Sequence, residues 1–127
     1  MKALLWTVAA VLTMTVLVTS VPAIAHHASG PFYDPDKSVE AIGTVTKFVF
    51  RNPHSFLYVD APNAEGVMTA WEIEMGASVS LSRRGWTPET INAGDQIKVV
   101  GQPSRAPGTY GMCCAELTQP DGTPIRP

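Results

Sequence analysis

Residues 39–60 read VEAIGTVTKFVF, then RNPH, then SFLYVD. The first segment is rich in Val, Ile, Thr and Phe, which marks a strand. Its alternation is imperfect. Ile42, Thr44 and Thr46 share a face with Phe48 and Phe50, while Val45 and Val49 fall opposite. A bulge or bend near Gly43 reconciles the two registers, because glycine inside a strand often marks one. A long, bent first strand suits a small closed barrel, where it must pair on both sides. Asn52-Pro53 is the corner, and the proline biases Asn52 towards an extended backbone. Ser55–Asp60 is the second strand, with Leu57 and Val59 on one face and Phe56 and Tyr58 on the other.

Downstream, residues 61–66 (APNAEG) form a hairpin loop into a third strand, Val67–Met75. There Trp71, Ile73 and Met75 alternate with Glu72 and Glu74, the pattern of a half-buried strand with one wet face. A short helix follows. Ser78 is its expected N-cap, Leu81 faces inward, and Gly85 sits where a helix ends in the left-handed conformation, with Trp86 packing back on Leu81. Arg83 and Arg84 fall in the last turn, where they complement the helix dipole. Thr87-Pro88-Glu89 has the form of N-cap, first helical position and first-turn acid of one more turn. After a turn at residues 92–95, Gln96–Gly101 is strand four, with Ile97 and Val99 inward. Gly111–Thr118 is strand five; with Leu117 inward, Ala115 and Cys113 also point in, and Met112, Cys114 and Glu116 point out. The order β-β-β-α-β-β is that of an OB-fold, an all-β five-stranded Greek-key barrel. Its competitor is a small open β-sandwich.

Upstream, Met1-Lys2 precedes an apolar run from Ala3 to Val21, then Pro22 and Ala23-Ile24-Ala25. This is the layout of a secretory signal peptide, with small residues where the peptidase reads them. The competing reading is an uncleaved membrane anchor, for which the run is about long enough. Cleavage after Ala25 sends the protein to a periplasmic or secreted location. Residues 26–38 are then an N-terminal arm and residues 39–127 the barrel domain. A formal net charge of −2 with scattered Lys and Arg gives no electrostatic footprint for nucleic acid. Contact with a membrane is expected only through an uncleaved leader.

The two cysteines are adjacent, Cys113-Cys114. Neighbouring Cα atoms lie about 3.8 Å apart, below the usual disulfide range of about 4.4–6.8 Å, so the pair is no structural staple. Buried thiols, a strained vicinal disulfide and a soft metal-binding pair are the readings open to it, the first being the common fate of free cysteine.

Several motifs occur in a fixed order: His26-His27, Tyr33-Asp34-Pro35, Gly43-Thr44-Val45, Asn52-Pro53-His54, Trp71-Glu72-Ile73-Glu74, a Leu81-x-Arg83-x-Gly85-Trp86 run, and Gly94-Asp95-x-Ile97-x-Val99-x-Gly101. With the leader, this series resembles an uncharacterised family of small exported bacterial proteins, a domain of unknown function. The resemblance spans His26 to about Gln119. It implies a barrel and an exported location, and it carries no activity, substrate or catalytic residue. Met112-Cys113-Cys114 departs from the family's pattern, so no shared role passes to these cysteines.

The chemistry-bearing residues are few. The chain has three histidines: His26, His27 and His54. After cleavage His26 carries a free α-amine that, with its imidazole, chelates Cu(II), and His27 adds a second imidazole. N-terminal nitrogens with imidazoles suit copper, and imidazole also suits zinc and nickel. His54 is the expected tie between arm and barrel, Met75 a further ligand, and Glu72 or Glu74 the completion of the shell. The bland counterpart is a polar arm, a corner histidine bonded to backbone and a solvated pair of acids. No nucleophile elbow, phosphate loop, His-Glu-x-x-His or nucleotide fingerprint is present, so the chain reads as a binding protein rather than an enzyme. The alternative is a metal-free module of the cell envelope. It would hold a small ligand or an envelope protein on the face of strands two and three, around Phe56 or Leu57, Tyr58, Trp71 and the Glu pair.

Overall fold

The computed structural model describes residues 29–125. Five strands and one short helix follow in order: β1 (Val39–Val49), β2 (Phe56–Pro62), β3 (Met68–Glu74), α1 (Ser78–Ser82), β4 (Gln96–Pro103) and β5 (Gly111–Thr118). The strands close into a barrel in the order β1-β2-β3-β5-β4. The expected β-β-β-α-β-β barrel is therefore the fold, and closure rules out the open sandwich. All pairings are antiparallel except β3 with β5. Among the described residues no helix is long and apolar enough to cross a membrane.

Alternating side chains fill the barrel. Leu57, Val59, Ile73, Ile97, Val99 and Met112 are fully buried, and Trp71 caps the set with its indole N–H donating to the Ala61 carbonyl at 3.3 Å. Burying each aliphatic side chain contributes about 1.5–3 kcal/mol, which is what holds so small a cylinder closed.

Strand β1 pairs with both neighbours, as its length requires. Its irregularity falls between Val45 and Lys47, not at Gly43. Gly43 serves a different need. A Cβ there would lie 2.0 Å from the Asp60 carbonyl oxygen and 2.7 Å from the Ala61 Cβ, so only glycine lets β1 cross β2 this closely. Gly101 plays the same part on β4, against the Cys113 carbonyl and Ala115.

The expected Ser78 cap is also corrected. Ala77 occupies the N-cap position and offers no side-chain acceptor. Asn52, from the β1–β2 corner, supplies one instead: its Oδ1 accepts from the Val79 amide at 3.4 Å and the Ser78 hydroxyl at 3.0 Å. At the other end Gly85 adopts φ 89° and the Trp86 amide bonds back to the Leu81 carbonyl at 3.1 Å. Thr87–Thr90 closes a single turn, with the Thr87 hydroxyl accepting from the Glu89 amide.

Residues 29–38 lie against the β4–β5 loop. Arg105 fastens them: its Nε donates to the carbonyls of Gly30 and Tyr33, and its guanidinium meets Asp34 at 3.3 Å. The Asp34 amide bonds to Pro103, and Tyr33 bridges to Ser104.

Candidate functional site

The β1–β2 corner is built around Ser55, whose buried hydroxyl donates to the Arg51 carbonyl and accepts from the Arg51 amide. The Ser55 carbonyl accepts from the Met75 amide and the Ser55 amide donates to Gly76. These bonds pin the corner, which includes a cis Asn52-Pro53 bond, to the end of β3. Register then decides what meets there. Phe56 pairs with Glu74, so His54, two residues earlier, stands at the strand end beside the Glu74 carboxylate.

His54 Nδ1 lies 3.0 Å from Glu74 Oε1. A carboxylate only accepts, so Nδ1 carries a proton towards it, and the tautomer this bond favours has its lone pair on Nε2. The other carboxylate oxygen, Oε2, accepts from the Tyr33 hydroxyl at 2.7 Å. Burial first, and then the bond to Glu74 and its negative charge, raise the Tyr33 phenol well above its ordinary range. It therefore stays protonated and donates. The three side chains form one relay, Tyr33 to Glu74 to His54, that fixes the imidazole plane.

The relay opens onto a cavity of about 460 Å³ whose walls include Ser29, His54, Glu74, Met75, Cys113 and Cys114. The parallel pairing of Glu74 with Cys113 brings the cysteines to this place. Cys113 is buried and Cys114 exposed, both thiols are free, and their sulfur atoms are in contact at 2.7 Å. Cys114 Sγ also reaches the Ser29 hydroxyl at 3.7 Å. Burial, reinforced by the bond to Cys114, pushes the Cys113 thiol up to about 12. The expectation that Met112 points outward is overturned: it is fully buried. Strand pairing shifts between Val100 and Gln102 opposite this run, and Cys114 takes φ 55°. Alternation is broken at Cys114: Met112, opposite Ile73, joins the core, while Cys113, opposite Glu74 and expected to point inward, lines the cavity together with Cys114.

The expected ligands thus divide. His54 and Met75 share the cavity. His26 and His27 lie outside the described residues. Glu74, expected as part of a shell, lines the cavity with its two carboxylate oxygens bonded to His54 and Tyr33, while Glu72 is exposed and lies outside the cavity. Tyr33 enters the site from the Tyr33-Asp34-Pro35 motif, through a partner 41 residues away that the motif itself does not indicate. Among the described residues, no three His, Cys, Asp or Glu side chains converge as a ready-made ion site.

Comparison with known proteins gives a family and no function. No curated protein and no solved structure matches the chain. A model described as a family of unknown function (DUF6152) matches residues 13–113, and the chain belongs to that family.

Proposed function

We propose that this member of a family of unknown function is an exported β-barrel protein that binds a transition metal, with copper the favoured ion. The ligands are His54 and the histidines of a processed amino terminus, His26 and His27, with Met75 beside them. The observation that carries the reading is the Glu74 carboxylate 3.0 Å from His54 Nδ1, which leaves Nε2 as the ring nitrogen able to ligate. A histidine that ligates a metal characteristically donates its other N–H to a carboxylate, which fixes the tautomer and raises the basicity of the ligating nitrogen. Here Tyr33 secures that carboxylate in turn.

Chain connectivity adds support. Ser29 forms part of the same cavity wall as His54. His27 is two residues before it and His26 three. At about 3.3–3.6 Å per extended residue, both are tethered within roughly 11 Å of Ser29. Leader removal after Ala25 would give His26 a free α-amine, and that nitrogen with imidazoles suits copper. The metal-free alternative draws less support, because Leu57 and Trp71, two residues of its binding face, are core side chains.

The test is calorimetric titration of the exported protein with Cu(II), with mass spectrometry of its first residue. Stoichiometric binding lost in His26→Ala and weakened in His54→Ala supports the proposal. Equal weak binding by all forms, or a first residue other than His26, defeats it.

A further inference from the structure

We infer that the adjacent thiols of Cys113 and Cys114, with the Met75 thioether, form a soft-metal site in the same cavity that takes copper in its cuprous state. The inference deepens the metal reading above and rests on it for the element concerned, but it draws on different atoms. Strand alternation should send neighbouring side chains to opposite faces of a sheet. At Cys113-Cys114 it does not: the sulfurs touch at 2.7 Å and both face the cavity that also contains Met75 and His54. The backbone departs from ordinary strand geometry to achieve this. Among the described residues Cys114 is the one non-glycine residue with positive φ, at 55°. Left-handed backbone at a non-glycine residue is costly and tends to accompany functional sites.

The chemistry of the donors selects the ion. Thiolate and thioether are soft ligands and favour Cu(I), whereas harder divalent ions prefer nitrogen and oxygen. Cu(I) is content with two or three ligands, so a pair of thiols with one thioether suffices without a third His, Cys or carboxylate. One thiol is buried and the other exposed; at 2.7 Å the sulfurs stand too close to bracket an ion, so the exposed Cys114 side chain has to swing out to admit it. The binding step is proton exchange with no change of oxidation state. Two S–H bonds are lost, two Cu–S bonds form, and two protons leave to solvent. In the reading above the cupric ion takes nitrogen ligands instead, so the two oxidation states would have separate ligand sets.

The experiment is an anaerobic titration of the exported, reduced protein with Cu(I), in competition with bicinchoninate, paired with Cu(II) electron paramagnetic resonance. Loss of an outer-shell partner costs about 10–100-fold in metal affinity, so removal of a true ligand should exceed that. Cys114→Ser, on the exposed side, should lower Cu(I) affinity by at least that factor, and Met75→Leu by less. Cys114→Ser should leave the Cu(II) nitrogen hyperfine pattern unchanged and a melting curve close to that of the parent. His26→Ala should do the reverse, removing the Cu(II) signal and sparing Cu(I). Unchanged Cu(I) affinity in Cys114→Ser overturns the inference while leaving the cupric reading standing. So does a native protein with no thiol reactive to Ellman's reagent until it is reduced. Loss of Cu(II) binding alone defeats the cupric reading and leaves the thiol site standing.

Discussion

Replacing Gly43 by alanine tests how tightly the barrel is drawn. The added Cβ would fall 2.0 Å from the Asp60 carbonyl oxygen, 2.8 Å from its carbon and 2.7 Å from the Ala61 Cβ. Two of these atoms are backbone, and Asp60 is itself paired to Ala70 on β3, so β2 cannot yield without dragging its neighbour. Relief requires the strands to part by about 1 Å. Overpacking of this kind costs about 1–3 kcal/mol, and a clash with backbone belongs at the upper end. The smaller conformational freedom of alanine in the unfolded chain returns about 0.4–1 kcal/mol. The net loss is about 2 kcal/mol, or roughly 10–15 °C in melting temperature at about 4–8 °C per kcal/mol for a domain of this size. Urea unfolding with an unchanged slope and a lowered midpoint should report the same loss. Two further alanine variants calibrate it. At Gly101 the nearest backbone atom is 2.7 Å from the new Cβ, and at Gly111 the nearest atom is a side-chain carbon at 3.4 Å. Stability should fall in the order Gly111→Ala, Gly101→Ala, Gly43→Ala, with the first close to the parent. Equal losses in all three would refute the close-approach argument, as would a Gly43→Ala protein melting within about 2 °C of the parent.

Three other outcomes follow from the geometry. Glu74→Gln keeps the shape of the Tyr33–His54 link but removes its charge, so Cu(II) affinity by calorimetry should fall about 10–100-fold with little change in melting; full affinity would mean that Glu74 does not tune His54. Asn52→Ala removes the acceptor at the start of α1 and should cost about 1 kcal/mol in urea unfolding, the usual value of a lost helix cap; a silent substitution would show the cap to be idle. For Asp34, partial desolvation works to raise the carboxyl, but the Asp36 amide, Lys37 and Arg105 outweigh it and hold the group below its ordinary value. A depressed folded-state value stabilises the protein above the unfolded value of about 3.9 and ceases to do so as pH falls through the folded value. Asp34→Asn should therefore melt below the parent at neutral pH, and the gap should close in acid below about pH 4; a gap independent of pH would show that these charges do not matter.

The strands were readable because period-two patterning survives wherever one face is buried, as in Leu57-x-Val59 and Trp71-x-Ile73. Element order then gave the barrel. Legibility failed where one residue type has two uses. Gly43 signals either a bulge or a close approach, and only the register of β1 against β2 distinguishes them. Met112 was misread because a bulge is a property of two paired strands, and its cause lies partly at Val100–Gln102 on β4. The cap failed for a similar reason: the acceptor that fixes α1 comes from Asn52, 26 residues away from Ser78. At the site, His54 and Met75 could be named from chemistry alone. Tyr33 and the two thiols could not be joined to them, because their meeting depends on Arg105 fastening the arm and on β3 lying parallel to β5.

That parallel contact is the narrowest joint in the cylinder. It runs over three residue pairs, Glu72 with Gly111, Ile73 with Met112 and Glu74 with Cys113, while every other joint is longer. A tube of staves springs first where its hoop is shortest, so amide exchange at residues 111–113 should lead the opening of the whole wall. Glu74 and Cys113 are the last rung of that joint. An ion gripped from both staves would act as a rivet, and its presence would be legible as slowed exchange along this one line, far more than across the opposite wall.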